Sequence, residues 1–397
     1  MTSAQRLEVV RDDKRLHEVG PAWTALWTRT GGFVFQSHAW VLAWFTTLPA
    51  RERQELRIVL AWQGDQLAAV LPLAIRRKRG LRVLQWAAKD VCDYCDALIV
   101  PGSFPGLLQK MWALISAEGG YDIVYLGQLL PDAAARTLIH GDADNSVRLS
   151  PNHRSESCLS VLRSWPDGKS WLASLPKKVR QNYRRGQKYI GERGTLKFSL
   201  VETPEKRARA IELLAAQKRH RLTAEGANHA LFSEGEPMLP ALVDVLDKAG
   251  LLRLFVLECD EKIVAITINF VQGNRMMAFL TSYDPGFERG SPGMMLIVDY
   301  VQWSLDHGIG VIDFMRGAES FKFRFANEQT MLGSCLGSRT LAGAAAVALD
   351  RSIHALRRRW NDAAKRYNSK PVAPETDDAN PHDLAGKAKS VSSVPAG

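Results

Sequence analysis

Cysteine is scarce, with five residues in 397, and the odd number gives no reason to expect a disulfide framework. Long apolar runs are missing too. The best of them, Leu341 to Leu349, stops against Asp350 and Arg351, well short of the ~18 residues that a membrane-spanning helix needs. The first twenty residues hold no apolar core of signal-peptide type, which makes the cytoplasm the expected location. No P-loop and no Gly-x-Gly-x-x-Gly follows a strand-like run, so nucleotide-dependent phosphoryl or hydride transfer has no support. Cys92-x-x-Cys95 has no second pair and no histidine cluster to complete it. A structural zinc site needs four ligands, so no metal is expected.

What is present is ordinary for a globular chain: 46% hydrophobic and 24% charged residues. Charge is the uneven property. The net charge is +10, and two segments carry more than all of it. The first holds Lys177, Lys178, Arg180, Arg184, Arg185, Lys188, Arg193 and Lys197 against Glu192; the second holds Arg351, Arg357, Arg358, Arg359, Lys365, Arg366 and Lys370 against Asp362. The remainder is slightly acidic, which disfavours a nucleic-acid protein. Two basic elements on a near-neutral body suit a phosphate, an anionic lipid surface or an acidic glycan.

The order of elements repeats. Helical patterns at Asp13–Thr28 and His38–Leu48, the second capped by Ser37, precede strand-like runs at Glu55–Trp62, Gln66–Ile75, Leu81–Ala87 and Tyr94–Val100. A helix at Phe104–Glu118 and a strand at Tyr121–Leu126 follow. After a Pro-, Asp- and Ser-rich connection (Leu130–Lys169) the same order returns. Helices from Pro204 and over Pro237–Lys248 lead to strands at Leu251–Cys259, Ile263–Val271 and Arg275–Tyr283, a helix at Pro292–His307 and a strand at Gly310–Met315. Antiparallel strands, then helix, then strand predict a mixed α/β sheet in each half. The expected divisions are 1–150, 151–345, a basic helix over 346–368 and a disordered tail over 369–397, which has too little apolar surface to offset the entropy of ordering. The tryptophans at 23, 27, 40 and 44 fall at helical spacing and read as core.

Two motifs could carry chemistry. The first is Arg289-Gly290-Ser291-Pro292-Gly293-Met294, where a strand gives way to a helix. Free N–H groups at a helix start bind anions, and glycines let a phosphate approach the backbone. The alternative is an ordinary capped turn. The second is Asp313-Phe314-Met315-Arg316-Gly317-Ala318-Glu319, continuing to Lys322 and Arg324, where an apolar strand ends in alternating charges. An aspartate inside such a strand is costly unless it is hydrogen-bonded or functional. Here the alternative is a set of ion pairs closing a strand end. The basic segment at 177–185 carries one apolar stripe (Leu175, Val179, Tyr183, Gly186, Ile190), so its charges face outward.

Together, Ser291-Pro292-Gly293, the helix after it and Asp313-Phe314-x-Arg316-Gly317-x-Glu319-x-x-Lys322-x-Arg324 resemble the GNAT-superfamily acetyltransferase domain of cellulose-biosynthesis-type proteins. The basic helix resembles the segment that opens that domain, and Asp93-Tyr94-x-Asp96 resembles the N-terminal part of the same proteins. Tandem GNAT-like halves are also a feature of the Fem-type aminoacyl transferases. The resemblance implies an N- or O-acyltransferase using acetyl-CoA or another acyl-CoA on a small-molecule or glycan acceptor of a sugar or polysaccharide pathway. The alternatives are a Fem-type enzyme using aminoacyl-tRNA, or a non-catalytic binding protein of the same fold. It further implies a cofactor site at Arg289, Gly290, Ser291, Gly293 and Met294. Asp313 or Glu319 would serve as base, Arg316 would orient it, and Tyr283 would donate to the thiolate. Arg180, Arg184 and Lys322 would meet the acceptor, with the CoA phosphates as the alternative partner of Arg180, Arg184 or Arg185, and a strand N–H near Thr281 would polarise the thioester.

Overall fold

Proline 72 divides what the sequence presents as one strand, and the first half follows from that break. A computed structural model describes residues 5–103, 106–140, 147–227 and 229–368. The first half runs β1 (Gln5–Val10), α1 (Asp13–Glu18), α2 (Gly20–Thr30), α3 (His38–Thr47), β2 (Glu55–Leu56), β3 (Ile58–Gln63), β4 (Gln66–Leu71), β5 (Leu73–Lys78), β6 (Leu81–Trp86), β7 (Leu98–Ile99), α4 (Leu107–Glu118) and β8 (Ile123–Leu129). Pro72 has no N–H to give a ladder. On one side of it β4 joins a four-stranded sheet ordered β1-β3-β4-β7; on the other, β5 enters a much larger sheet. The helix expected over Asp13–Thr28 is likewise two, because Pro21 opens a new one. Ser37 caps α3 as expected, accepting the Trp40 N–H.

The second half contributes β9 (Ser150–Pro151), β10 (Glu156–Leu162), α5 (Gly168–Ser174), α6 (Lys177–Gly191), β11 (Leu196–Leu200), α7 (Pro204–Ala224), α8 (Met238–Lys248), β12 (Leu252–Cys259), β13 (Lys262–Gln272), β14 (Arg275–Tyr283), α9 (Pro292–Asp306), β15 (Val311–Arg316), β16 (Glu328–Ser338) and α10 (Leu341–Asn368). The large sheet is ordered β11-β12-β13-β14-β15-β10-β16-β8-β6-β5-β2, with β9 beside β16. Its two parallel pairs, β6–β8 and β14–β15, are those bridged by α4 and α9. The duplicated order therefore has a structural counterpart: hairpins, a crossover helix and a parallel strand in each half.

The halves are locked together by exchange. β10 follows β8 in the chain but pairs with β15, whereas β16 follows β15 but pairs with β8. β10 and β16 then pair with each other at the centre. β10 lies inside the stretch expected to be a connection (Leu130–Lys169), and β16 follows the last strand expected from sequence. The expected strand Tyr94–Val100 is a further correction. Only Leu98–Ile99 is paired, because the Asp96 carboxylate gathers the N–H groups of Ala97, Ala134 and Ala135 into a turn.

The described residues divide into two units, one ending at Ala348 and the other beginning at Leu349. In the first, two apolar clusters flank the second half's strands. One, with buried Trp23, Trp40 and Trp44, runs from the first half through α7 and α8 to Met277 and Met315; Trp27 packs half-buried against it. The other lies under α5, α6 and α9 and takes Met276, Ile312 and Phe314. Alternate residues of β14 and β15 thus face opposite layers. α10 opens at Thr340, whose hydroxyl accepts the Gly343 N–H. The tail expected to be disordered lies outside the described residues.

Candidate active site

Between β14 and α9 the chain makes a 3₁₀ turn, Pro285–Gly290, with the Asp284 carboxylate accepting the Gly286 N–H and pairing with Lys262. Ser291 sits at the N-cap position with φ 52°, a left-handed conformation in which its side chain does not cap the helix. Pro292 has no N–H, and the Met294 and Met295 N–H groups both turn back to the Ser291 carbonyl. The Gly293 N–H is left as the donor at the mouth of a fifteen-residue helix, where the dipole favours an anion.

α6 closes one side of this mouth. A Cβ on Gly186 would lie 2.5 Å from the Gly290 carbonyl oxygen, so glycine is what allows the approach. Tyr183 donates to Asp299 on α9, whose pKa burial pushes up to about 6. A cavity of about 50 Å³ is bordered by Asn182, Tyr183, Ser291, Met294 and Arg324. Arg289, Arg324 and Ser291 are exposed, and neither arginine has an ion pair among the described residues. Gly290 is buried under α6, Met294 is half-buried at the pocket, and Tyr283 stands beside Gly293. On α6, Arg184 is exposed, and Arg180 is half-buried with its Nε donating to the Leu175 carbonyl.

The parallel pairing of β14 with β15 lasts for three residue pairs, Arg275–Val311, Met276–Ile312 and Met277–Asp313. Past them the strands part, and the β14 edge from Ala278 to Tyr283 runs toward the mouth of α9.

The Asp313 side chain points into the opposite layer, toward the first half. There it is 1% exposed, and both its oxygens are engaged. Oδ2 accepts from Tyr94 Oη at 2.7 Å and Arg275 Nη1 at 2.8 Å; Oδ1 accepts from the Met315 N–H at 2.8 Å. Burial and the nearby Asp313 charge push the Tyr94 pKa well up. Arg316 pairs at 2.9 Å with Asp93 and at 3.3 Å with Glu156. Burial raises the Asp93 pKa against the pull of Arg316. Burial works against the Arg316 charge, but Asp93 and Glu156 raise its pKa overall. The first half's Asp93-Tyr94 thus clamps the second half's Asp313 and Arg316.

Just beyond, Met315 (φ 59°) and Gly317 (φ 109°) turn the chain. Lys322 is buried, its Nζ donating to the Arg316 carbonyl at 2.6 Å and pairing with Glu319 at 2.9 Å. Burial raises the Glu319 pKa, but the Lys322 hydrogen bond, a backbone hydrogen bond and the Lys322 and Lys218 charges together outweigh it, and the net shift is downward. Lys218 on α7 is half-buried and close enough to feel the Glu319 charge; burial takes its pKa down to about 8. A cleft of about 520 Å³ opens against Arg275 and Tyr94, walled by Gly31–Phe33, Asp96–Ile99 and Leu130–Ala134.

The glycine-rich turn before α9 and the charged strand end stand where the sequence predicts them, whereas Arg275, Arg324, Asn182 and Lys218 carry no role predicted from sequence. Arg275 had a readable signal, since it opens the strand that a strand–helix–strand crossover sets beside Asp313. Among the described residues, no group of three or more His, Cys, Asp or Glu could hold a metal.

Residues 177–323 match the family model of the acetyltransferase (GNAT) domain. The C-terminal DUF2156 domain of a lysylphosphatidylglycerol synthetase candidate from Agrobacterium fabrum superposes with a TM-score of 0.51. It is 14% identical and covers 85% of this chain and 96% of its own. FemX superposes with a TM-score of 0.50 at 10% identity over 82% of this chain and 96% of its own. A tandem GNAT protein of the clavulanic acid pathway gives 0.46 at 11% identity, over 85% and 100% of the two chains. No curated protein matches. The fold is mixed α/β of GNAT type, and the match over residues 177–323 supports an acyltransferase domain in that part of the chain. No helix among the described residues is long and apolar enough to cross a membrane.

Proposed function

We propose that this protein transfers an acyl group from acyl-CoA, with acetyl-CoA the first choice, to an amine or hydroxyl of a sugar or glycan acceptor. The observation that carries the reading is the parting of β14 from β15 after Met277–Asp313, which leaves a strand edge leading to the mouth of α9. The Gly293 N–H, with Arg289 and Arg324 nearby, has the chemistry to hold a pyrophosphate. Arg180 and Arg184 lie on the helix that closes this mouth, so we now assign them to the phosphates of CoA rather than to the acceptor. The pantetheine arm would follow the β14 edge, whose N–H groups near Thr281 could polarise the thioester carbonyl.

The acceptor would approach from the layer that holds Asp313, through the cleft at Arg275. Its nitrogen or oxygen attacks the thioester carbon, a new amide or ester bond forms, and the carbon–sulfur bond breaks. The acceptor's proton passes to Glu319, directly or through water. The thiolate takes a proton from Tyr283 or from water. Asp313, fully bonded, serves with Arg316 to hold the strand end, as does Lys322.

Titration calorimetry with CoA and acetyl-CoA tests the donor. Micromolar binding that releases free thiol once an acceptor is supplied supports the reading; no binding of either overturns it. Capture of aminoacyl-tRNA in place of CoA would move the chain to the Fem-type reading.

A further inference from the structure

The second basic segment plays no part in this chemistry, and its helix has a pattern of its own. Along α10 the large apolar residues Leu349, Ile353, Leu356 and Trp360 recur at steps of four, three and four. They are 61%, 41%, 64% and 78% exposed. On a helix of 3.6 residues per turn, Arg357 falls about 60° to one side of Trp360 and Arg359 about 100° to the other. Arg351 and Arg358 occupy the face opposite the stripe. The stripe is therefore narrow, closed by tryptophan and flanked at that end by one guanidinium group on each side.

We propose that this helix lies in the surface of an anionic lipid bilayer, with Leu349, Ile353, Leu356 and Trp360 inserted among the acyl chains and the arginines against the headgroup phosphates. A lipid surface fits better than a second copy of the chain because of charge. Two such helices paired along the stripe would set the flanking Arg357 and Arg359 along one seam, facing like charge. Headgroup phosphates supply the opposite charge on both sides at once, and long arginine stems reach them while the stripe stays in hydrocarbon. The proposal does not depend on acyl transfer, since its test reads binding alone.

The test is sedimentation of the full chain with vesicles of phosphatidylglycerol and phosphatidylcholine, compared with phosphatidylcholine alone. Binding to the anionic vesicles is expected, weakening as salt rises. Each basic residue at such a surface is worth about fivefold in affinity, so Arg357→Glu with Arg359→Glu should lose roughly 25-fold or more. Leu356→Gln with Trp360→Gln should lose about tenfold or more, through the stripe alone, because the net charge is unchanged. Both double variants change exposed positions, and unchanged melting temperatures would confirm that they fold. Equal binding to neutral vesicles, or binding that neither pair weakens, overturns the proposal. So does a dimer in light scattering, broken by Leu356→Gln with Trp360→Gln, in a chain that ignores vesicles.

Discussion

Replacing Gly293 with aspartate puts a negative charge where the donor's pyrophosphate is expected, and the structure allows the cost to be worked out. A Cβ at this position meets Tyr283 Cδ1 at 3.3 Å, a tight contact that the half-buried ring can relieve by moving a few tenths of an ångström. Folding should not suffer, because an acidic residue in the first turn of a helix is stabilising by about 0.3–1 kcal/mol. Binding should. A carboxylate about 5 Å from one phosphate charge, at an effective dielectric near 20, repels it by about 3 kcal/mol, or roughly 200-fold in Kd. Gly293→Ala adds the same Cβ without the charge and should lose less than about tenfold. Calorimetry with acetyl-CoA on all three proteins, alongside melting curves, separates the two effects. An aspartate variant that melts normally and binds acetyl-CoA as the parent does would refute the assignment of this helix mouth to the donor.

Asp313→Asn leaves Arg275 without its anion. Breaking a buried ion pair costs about 3–5 kcal/mol, and with Arg275 38% exposed a loss of about 1–3 kcal/mol is expected in urea unfolding, with acetyl-CoA affinity intact. If stability holds while turnover falls 10²–10⁴-fold, Asp313 acts on the acceptor instead. Lys218 predicts a pH effect. Its pKa is about 8 folded and near 10.4 unfolded, so between those values the unfolded chain binds more protons and stability rises with pH. Lys218→Met should therefore melt higher than the parent at pH 7, with the margin closing from pH 8 to 10; a margin independent of pH would refute this. Finally, residues 1–150 expressed alone should show no cooperative thermal transition, because β8 would lose its pairing with Gly333–Ser338; a sharp melt would show that the first half stands by itself.

Much was determined by local chemistry that a sequence displays directly. The Ser37 cap and the apolar stripe of α6 each depend on residues a few positions apart, and each formed as read; the hairpins at Gly64 and Gly273 are equally local. The crossover from β14 to β15 belongs with them, since a strand, a glycine-rich turn and a helix specify one another within some forty residues. What only the tertiary structure decided are pairings across roughly 150 residues or more. β10 and β16 mix polar and apolar residues without a clear strand period and become central strands because each completes the other half's sheet. The same distance separates Asp93 and Tyr94 from Arg316 and Asp313. A buried carboxylate in a strand announces that a partner exists, because leaving it unpaired is too costly; which residue supplies that partner is settled only when the exchanged strands bring the two halves into register.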